Sequence, residues 1–348
     1  MLSYDSYILS TYLSPLWEGD VVYNETVLFV NETEAPLLYA PEKILSVRSF
    51  DLATEYKKGV DYLVRDGKLV LTANTSIPSY TEEEYYPPVQ IPGKAFDSAV
   101  EGHPYILFNN GSEIFRHQIH VTYTHKDTWQ GFLPTKTDKL NRFLDRAKRG
   151  DDARVLFFGD SITTGVNSSG AVNCPPYADT WMEMTFKAMR ERLGNDRLQY
   201  LNTAVGGKNT PWALEVLTER VLDLQPDLLF LAFGMNDIHR PPAEEARFIS
   251  EILDKVKAAC PNCDVALVSP MLPHFRMKGF FGYQPQFEAA FKEICDTREH
   301  TALIPVTSMH NEALKTKRYY DMTGNNVNHP NDFLARIYAQ TALRVLFG

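Results

Sequence analysis

Arg154-Val155-Leu156-Phe157-Phe158-Gly159-Asp160-Ser161-Ile162-Thr163-Thr164-Gly165 is the stretch that decides the fold. Four apolar residues, 155–158, run directly into a glycine and then a serine. A short apolar run bounded by a turn residue reads as a strand buried on both faces. Gly159 allows a tight turn. Ser161 then begins the next loop or helix, where its hydroxyl and its own backbone N–H can face the sheet edge. Helix N-caps also favour serine, so residues 158–165 alone fit a capping serine as well as a functional one.

Working outward, the strand-loop-helix pattern repeats. Further apolar runs occur at 198–202, 228–233, 265–269 and 303–305. Amphipathic stretches lie near 180–193, 212–224, 243–259, 286–297 and 332–347. In the first of these Trp181, Met184, Ala188, Met189 and Leu193 recur at three- and four-residue spacing. Five strands alternating with helices predict a three-layer α/β/α domain with a five-stranded parallel sheet over 151–348. Right-handed crossovers place every strand-to-helix loop on one edge, where such folds bind ligands.

Upstream the chain differs. Twelve of the 18 tyrosines precede residue 130. Short β-branched and aromatic runs at 20–30, 43–49, 62–64, 68–72 and 117–123 alternate with turn residues, and Asp66-Gly67 sits between two of them as a hairpin signal. Residues 1–135 are therefore expected to form an antiparallel β-sandwich, jelly-roll-like, as an accessory domain. Residues 77–92 read as a long surface loop and 136–150 as a linker with helical potential.

Three more segments fall on the same predicted edge as Ser161. Asn202-Thr203-Ala204-Val205-Gly206-Gly207 follows the second strand, and its glycines permit close backbone approach to a ligand. Gly234-Met235-Asn236-Asp237 ends the third, and an asparagine N–H there can donate to an oxyanion. Asn325-Asn326-Val327-Asn328-His329-Pro330 precedes the last helix and holds a histidine on a rigid corner, within reach of a serine proton. Each has an ordinary reading too, as a turn, a cap or a surface histidine.

Taken together and in order, Gly159-Asp160-Ser161, Gly207, Gly234-x-Asn236-Asp237 and His329 resemble the four blocks of the SGNH hydrolases, or GDS(L)-type esterases, over about residues 151–345. The resemblance implies a flavodoxin-like fold, Ser161 as nucleophile and His329 as base. It implies an oxyanion hole from the N–H of Ser161, the N–H of Gly207 and the side chain of Asn236, with Gly206 competing for the second place. The family usually carries Asp three residues before the histidine. Here Asn326 stands there, as a neutral orienter of the ring, with Asp321 and Asp332 the nearby carboxylates and Asp332 expected to cap the last helix. Some SGNH carbohydrate esterases are similar in working as Ser-His dyads, with a backbone carbonyl holding the histidine, and that arrangement is the expectation.

Other residues carry less. Cys260-Pro-Asn-Cys263 has CxxC spacing but no second pair for a zinc site. His117, His120 and His125 do not share one strand face, and the chemistry above needs neither metal nor cofactor. Five Asn-x-Ser/Thr triplets, at Asn24, Asn31, Asn74, Asn110 and Asn167, read as chance. Trp181 and Trp212 lie near the edge loops, with core packing the default and sugar stacking the alternative. The apolar stretch 271–283 fits a lid, an acyl-binding wall or a loop packed on the β domain.

Across 348 residues, 44% are hydrophobic and 23% charged, which is ordinary globular composition. A formal charge of -9 argues against nucleic acid as a partner. No run of about 18 apolar residues suits a membrane span, and residues 1–16 lack the basic start and apolar core of a signal peptide, so a cytoplasmic location is expected. The resemblance implies a serine esterase acting on small acyl esters, O-acetyl groups of carbohydrates first. A β domain ahead of an SGNH domain is similar to the layout of some bacterial carbohydrate acetylesterases. A lipase, lysophospholipase or thioesterase on longer chains is the second reading. A catalytically weak carbohydrate-binding protein is the third, kept open by Asn326.

Overall fold

A computed structural model describes residues 7–348; part of the stretch 1–16 read for a leader lies outside them. The five parallel strands are β10 (Ala153–Gly159), β11 (Leu198–Asn202), β12 (Leu228–Ala232), β13 (Asp264–Val268) and β14 (Thr301–Ile304). Their order is β11-β10-β12-β13-β14, the flavodoxin-like 2-1-3-4-5 arrangement, whose switch point lies between β10 and β12.

Side-chain alternation along β10 builds two layers. Val155 and Phe157 face the core shared with the helices Trp181–Leu193, Val306–Leu314 and Asp332–Phe347. Leu156 and Phe158 face the core shared with Pro242–Ala259 and Gln284–Thr297. Both faces are covered, which is why these strands read as unbroken apolar runs. The helix Val306–Leu314 was not expected; it begins one residue after Pro305 at the end of the last strand and is only 9 residues long.

The N-terminal region is built from nine strands: β1 (Val21–Val30), β2 (Glu34–Pro36), β3 (Lys43–Ser49), β4 (Tyr62–Arg65), β5 (Lys68–Leu71), β6 (Ser79–Tyr80), β7 (Ala95–Asp97), β8 (Tyr105–Leu107) and β9 (Gln118–Thr124). They form sheets β3-β9-β1-β6, β2-β5-β4 and β7-β8. Its strand pairs are antiparallel except for β1 with β6. A jelly-roll has eight strands in two Greek keys, and that expectation goes further than these sheets of four, three and two strands. The β4–β5 hairpin turns at Asp66 and Gly67, φ 49° and 74°, the positive values a two-residue turn requires.

Residues 77–92 are not a plain surface loop. They hold β6 and the helix Glu82–Tyr85, whose capping box joins Thr81 to Glu84, and Tyr85 is buried. Within 136–150, Asn141–Lys148 is helical and buries Phe143, Leu144 and Ala147.

One apolar core runs from β1, β3 and β9 through Val22, Val27, Phe29, Val47 and Val121 into the helix Asp332–Phe347. That helix is covered on both sides, and of its 16 residues only Arg344 and Phe347 escape full burial. A buried ion pair, Lys317 Nζ to Glu25 Oε1 at 2.6 Å, links the two regions, and Tyr123 and the Leu38 amide also bind that carboxylate. No described helix is long and apolar enough to cross a membrane.

Candidate active site

The site begins where β10 ends. A β-carbon on Gly159 would collide with the Ala232 carbonyl and the Thr163 side chain, so only glycine fits. Asp160 then caps the single turn Ser161–Thr164, its Oδ1 accepting the Ile162 N–H at 2.9 Å. Gly165, φ 85°, ends that turn. Ser161 is thus the first residue of the turn, with its backbone N–H unclaimed among the described residues.

His329 sits on a loop tied to itself. Asn325 Oδ1 accepts the N–H groups of Val327, Asn328 and His329 at 2.9, 3.0 and 3.0 Å. The His329 carbonyl accepts from Gly324 N and Thr323 Oγ1. Asn331, not Asp332, caps the last helix, accepting from Phe333 and Leu334. Asp332 instead accepts the Ser169 N–H at 2.8 Å. The outcome is that Ser161 Oγ and His329 Nε2 stand 2.8 Å apart, and both residues are 7% exposed.

Asn326 does not orient the ring. It holds φ 68°, and its side chain turns away, accepting from Tyr85 Oη at 2.7 Å and donating to the Leu107 carbonyl at 2.9 Å. The left-handed backbone swings it toward the N-terminal region. Asp321 is engaged by Arg318 and the Leu28 N–H, so neither nearby carboxylate reaches the imidazole. Where a backbone carbonyl is expected, the Nδ1 atom faces side-chain amides, Asn167 Oδ1 at 2.6 Å and Asn325 Nδ2 at 3.0 Å. In the sequence Asn167 carries only a chance sequon, and no spacing rule points from residue 167 to residue 329.

The remaining loops supply donors. A β-carbon on Gly206 would lie 3.7 Å from Ser161 Cβ, so Gly206 abuts the serine. Gly207, φ 74°, has open space beside it. Neither glycine donates its amide to another described group. Asn236 Nδ2 gives one hydrogen to the Lys208 carbonyl at 2.8 Å and has a second to offer. Asp237 clamps the two loops together, accepting from Thr210 N at 3.2 Å and from Arg240. Glu245 shares Thr210 and Arg240 with it. Burial first, then the Asp237 charge, raises the Glu245 carboxyl to about 8.

A family model for the GDSL-like lipase/acylhydrolase family matches residues 157–337, a span of more than half the chain that holds all four blocks. The chain belongs to this family. An uncharacterized protein of Mycoplasma pneumoniae is 25% identical over 146 residues, which cover 40% of this chain and only 16% of that protein. Among solved structures, an acetylxylan esterase from Geobacillus stearothermophilus aligns with TM-score 0.46 at 17% identity, over 55% of this chain and 93% of its own. An α/β hydrolase enzyme from a Lake Arreo metagenome gives TM-score 0.46 and 17% identity, over 55% and 93%.

Within this family member, burial pushes the His329 imidazole down to about 4, because no carboxylate faces the ring to favour its charged form. It is neutral at pH 7 and able to accept a proton. Asp160, buried beside the serine, is raised to about 7. Trp181 is packed among Phe157, Phe230 and Tyr338 with its Nε1–H on the Ile162 carbonyl, so it is a core residue. Trp212 is half-buried, with Lys208 Nζ over its ring at 5.4 Å. His117, His120 and His125 bind separate carbonyls, of Glu113, Phe50 and Asp127, and among the described residues no three His, Cys, Asp or Glu are grouped to hold a metal. All four cysteines, Cys260 and Cys263 included, are buried free thiols.

Proposed function

We propose that this chain is a serine esterase that removes small acyl groups, O-acetyl groups on carbohydrates first among them. The observation that carries the reading is the 2.8 Å approach of Ser161 Oγ to His329 Nε2 at the carboxyl edge of the parallel sheet. Ser161 Oγ attacks the ester carbonyl while Nε2 takes its proton. The oxyanion forms against the N–H groups of Ser161 and of Gly206 or Gly207, with the second Asn236 hydrogen as a further donor; a donor of this kind contributes about 3 kcal/mol. The imidazolium returns the proton to the leaving alcohol oxygen. Water then repeats the sequence on the acyl-enzyme, with His329 as base, and releases the acid.

The short acyl chain is favoured by what happens to residues 271–283. Met271 and Met277 are buried, Phe280 packs on Phe96, and the backbone pairs with the N-terminal region through Ala99 N to Arg276 O and Lys278 N to Asp97 O. Apolar side chains that would line an acyl groove are largely used in that packing. The carbohydrate half of the proposal rests on the layout of a β region ahead of an SGNH domain.

Phe275 and Phe281, 57% and 45% exposed on the same stretch, support a second reading, hydrolysis of longer acyl esters. A p-nitrophenyl ester series separates the two. We expect the highest kcat/KM at two carbons, abolished in Ser161→Ala, and release of acetate from acetylated oligosaccharides. Rates climbing from two to eight carbons select the second reading. Purified protein inert on every ester in the series favours the carbohydrate-binding alternative.

A further inference from the structure

We infer that Asn167 is the positioning residue of this site. Its amide oxygen holds a proton on His329 Nδ1, which leaves Nε2 free to accept from Ser161, and the N-terminal region locks that amide against turning over. The inference rests on the serine-esterase reading and adds to it a part for residues that precede the hydrolase domain.

Two amides compete for Nδ1. Asn167 presents an oxygen at 2.6 Å and Asn325 a nitrogen at 3.0 Å. An imidazole Nδ1 either donates to the first or accepts from the second, never both. Donation gives the tautomer with Nε2 bare, which can activate the serine. Acceptance puts the proton on Nε2, where it points at Ser161 and blocks the reaction.

Neither amide is free to choose its face. Asn325 is fixed by the three N–H groups on its Oδ1, so its nitrogen must point toward the ring. Asn167 is fixed from the other direction. Its Nδ2 donates to the carbonyls of Asn110 and Gly111 at 3.1 and 3.5 Å, and turning the amide over would set its oxygen against both. The Asn110 side chain also draws off the competitor, since its Oδ1 accepts from Asn325 Nδ2 at 3.4 Å, and Asn328 Oδ1 does so at 3.0 Å.

The backbone is built for this placement. Asn167 is completely buried with φ 63°, a conformation asparagine tolerates better than most residues. Gly324 makes room for it, since a β-carbon there would come within 2.6 Å of Asn167 Cβ.

The test is nitrogen-15 spectroscopy of the imidazole nitrogens in the full-length protein, with His329→Gln used to assign the signal. Wild type is expected to carry hydrogen on Nδ1 of His329. Asn167→Gly keeps the left-handed backbone and removes the amide. It should move the hydrogen to Nε2 and lower kcat about 10²-fold or more with KM changed less than about threefold. Hydrogen on Nε2 in wild type overturns the inference, and so does an unchanged Nδ1 signal or more than a third of kcat in Asn167→Gly. If Asn167→Gly does not fold, the wild-type spectrum still decides. Because that spectrum needs no turnover, a wild type inert on esters would end the esterase reading without touching the tautomer result.

Discussion

Tyr85 Oη donates to Asn326 Oδ1 at 2.7 Å, and this bond, with the Asn326 bond to the Leu107 carbonyl, holds Asn326 away from the imidazole it precedes by three residues. The position where the family usually places an aspartate here serves the join between the hydrolase domain and the N-terminal region. Restoring the family residue should therefore gain nothing. Asn326→Asp is expected to raise kcat/KM by less than about twofold, since the new carboxylate would face a phenol and a carbonyl; a tenfold gain would show that residue 326 reaches the ring.

Asn326→Ala should act on stability instead. It strands the buried Tyr85 hydroxyl and Leu107 carbonyl and puts alanine, which tolerates the left-handed region less well than asparagine, at φ 68°. A loss of about 2–4 kcal/mol is expected, read by urea unfolding, with kcat of the folded fraction within about threefold of wild type.

The pH profile follows from the buried base. With the folded pKa of His329 lowered to about 4, the imidazole is still neutral at pH 5. Initial-rate kcat/KM at pH 5 should be within about twofold of that at pH 7. An ordinary histidine of pKa about 6.5 would leave about 4% of the pH 7 value. Asp160 is itself raised to about 7, so a limb centred near 6.5 that persists in Asp160→Asn would contradict the burial argument.

Glu245 yields a stability prediction with a definite sign. Its folded pKa is raised to about 8 from an ordinary 4.5. The folded state therefore holds the extra proton between those values, and stability falls as pH rises through that window. Glu245→Gln mimics the protonated acid. Its Tm relative to wild type should become more favourable from pH 5 to pH 9; a constant difference would mean the carboxyl ionises normally.

Lys317→Met tests the join between the two regions. It leaves the Glu25 carboxylate buried without its cation, and losing one partner of a buried pair costs about 3–5 kcal/mol. The double variant Lys317→Met/Glu25→Gln should recover part of that loss in denaturant melts.

Much of this was legible in the residues. The parallel strands declare themselves because both faces are covered, so runs such as 155–158 and 228–231 need no alternation. Ser161 and His329 are marked by their places, directly after a strand and directly before a helix. The order β3-β9-β1-β6 was not legible, since strands of similar composition can pair in many ways and β6 is only two residues long. Asn167 was hidden for a sharper reason. Its role depends on which end of an amide faces the ring, and that is set by carbonyls 56 and 57 positions earlier, a relation no local pattern encodes.

The wrapping of Asp332–Phe347 by strands from the other half of the molecule bears on anyone who would trim this chain to its family-matching segment. Deleting the first 130 residues would bare a greasy flank that water would not tolerate, and would take away the Asn110–Gly111 loop behind the histidine. A shortened protein would have to be redesigned along that flank before its turnover numbers could be compared with those of the whole.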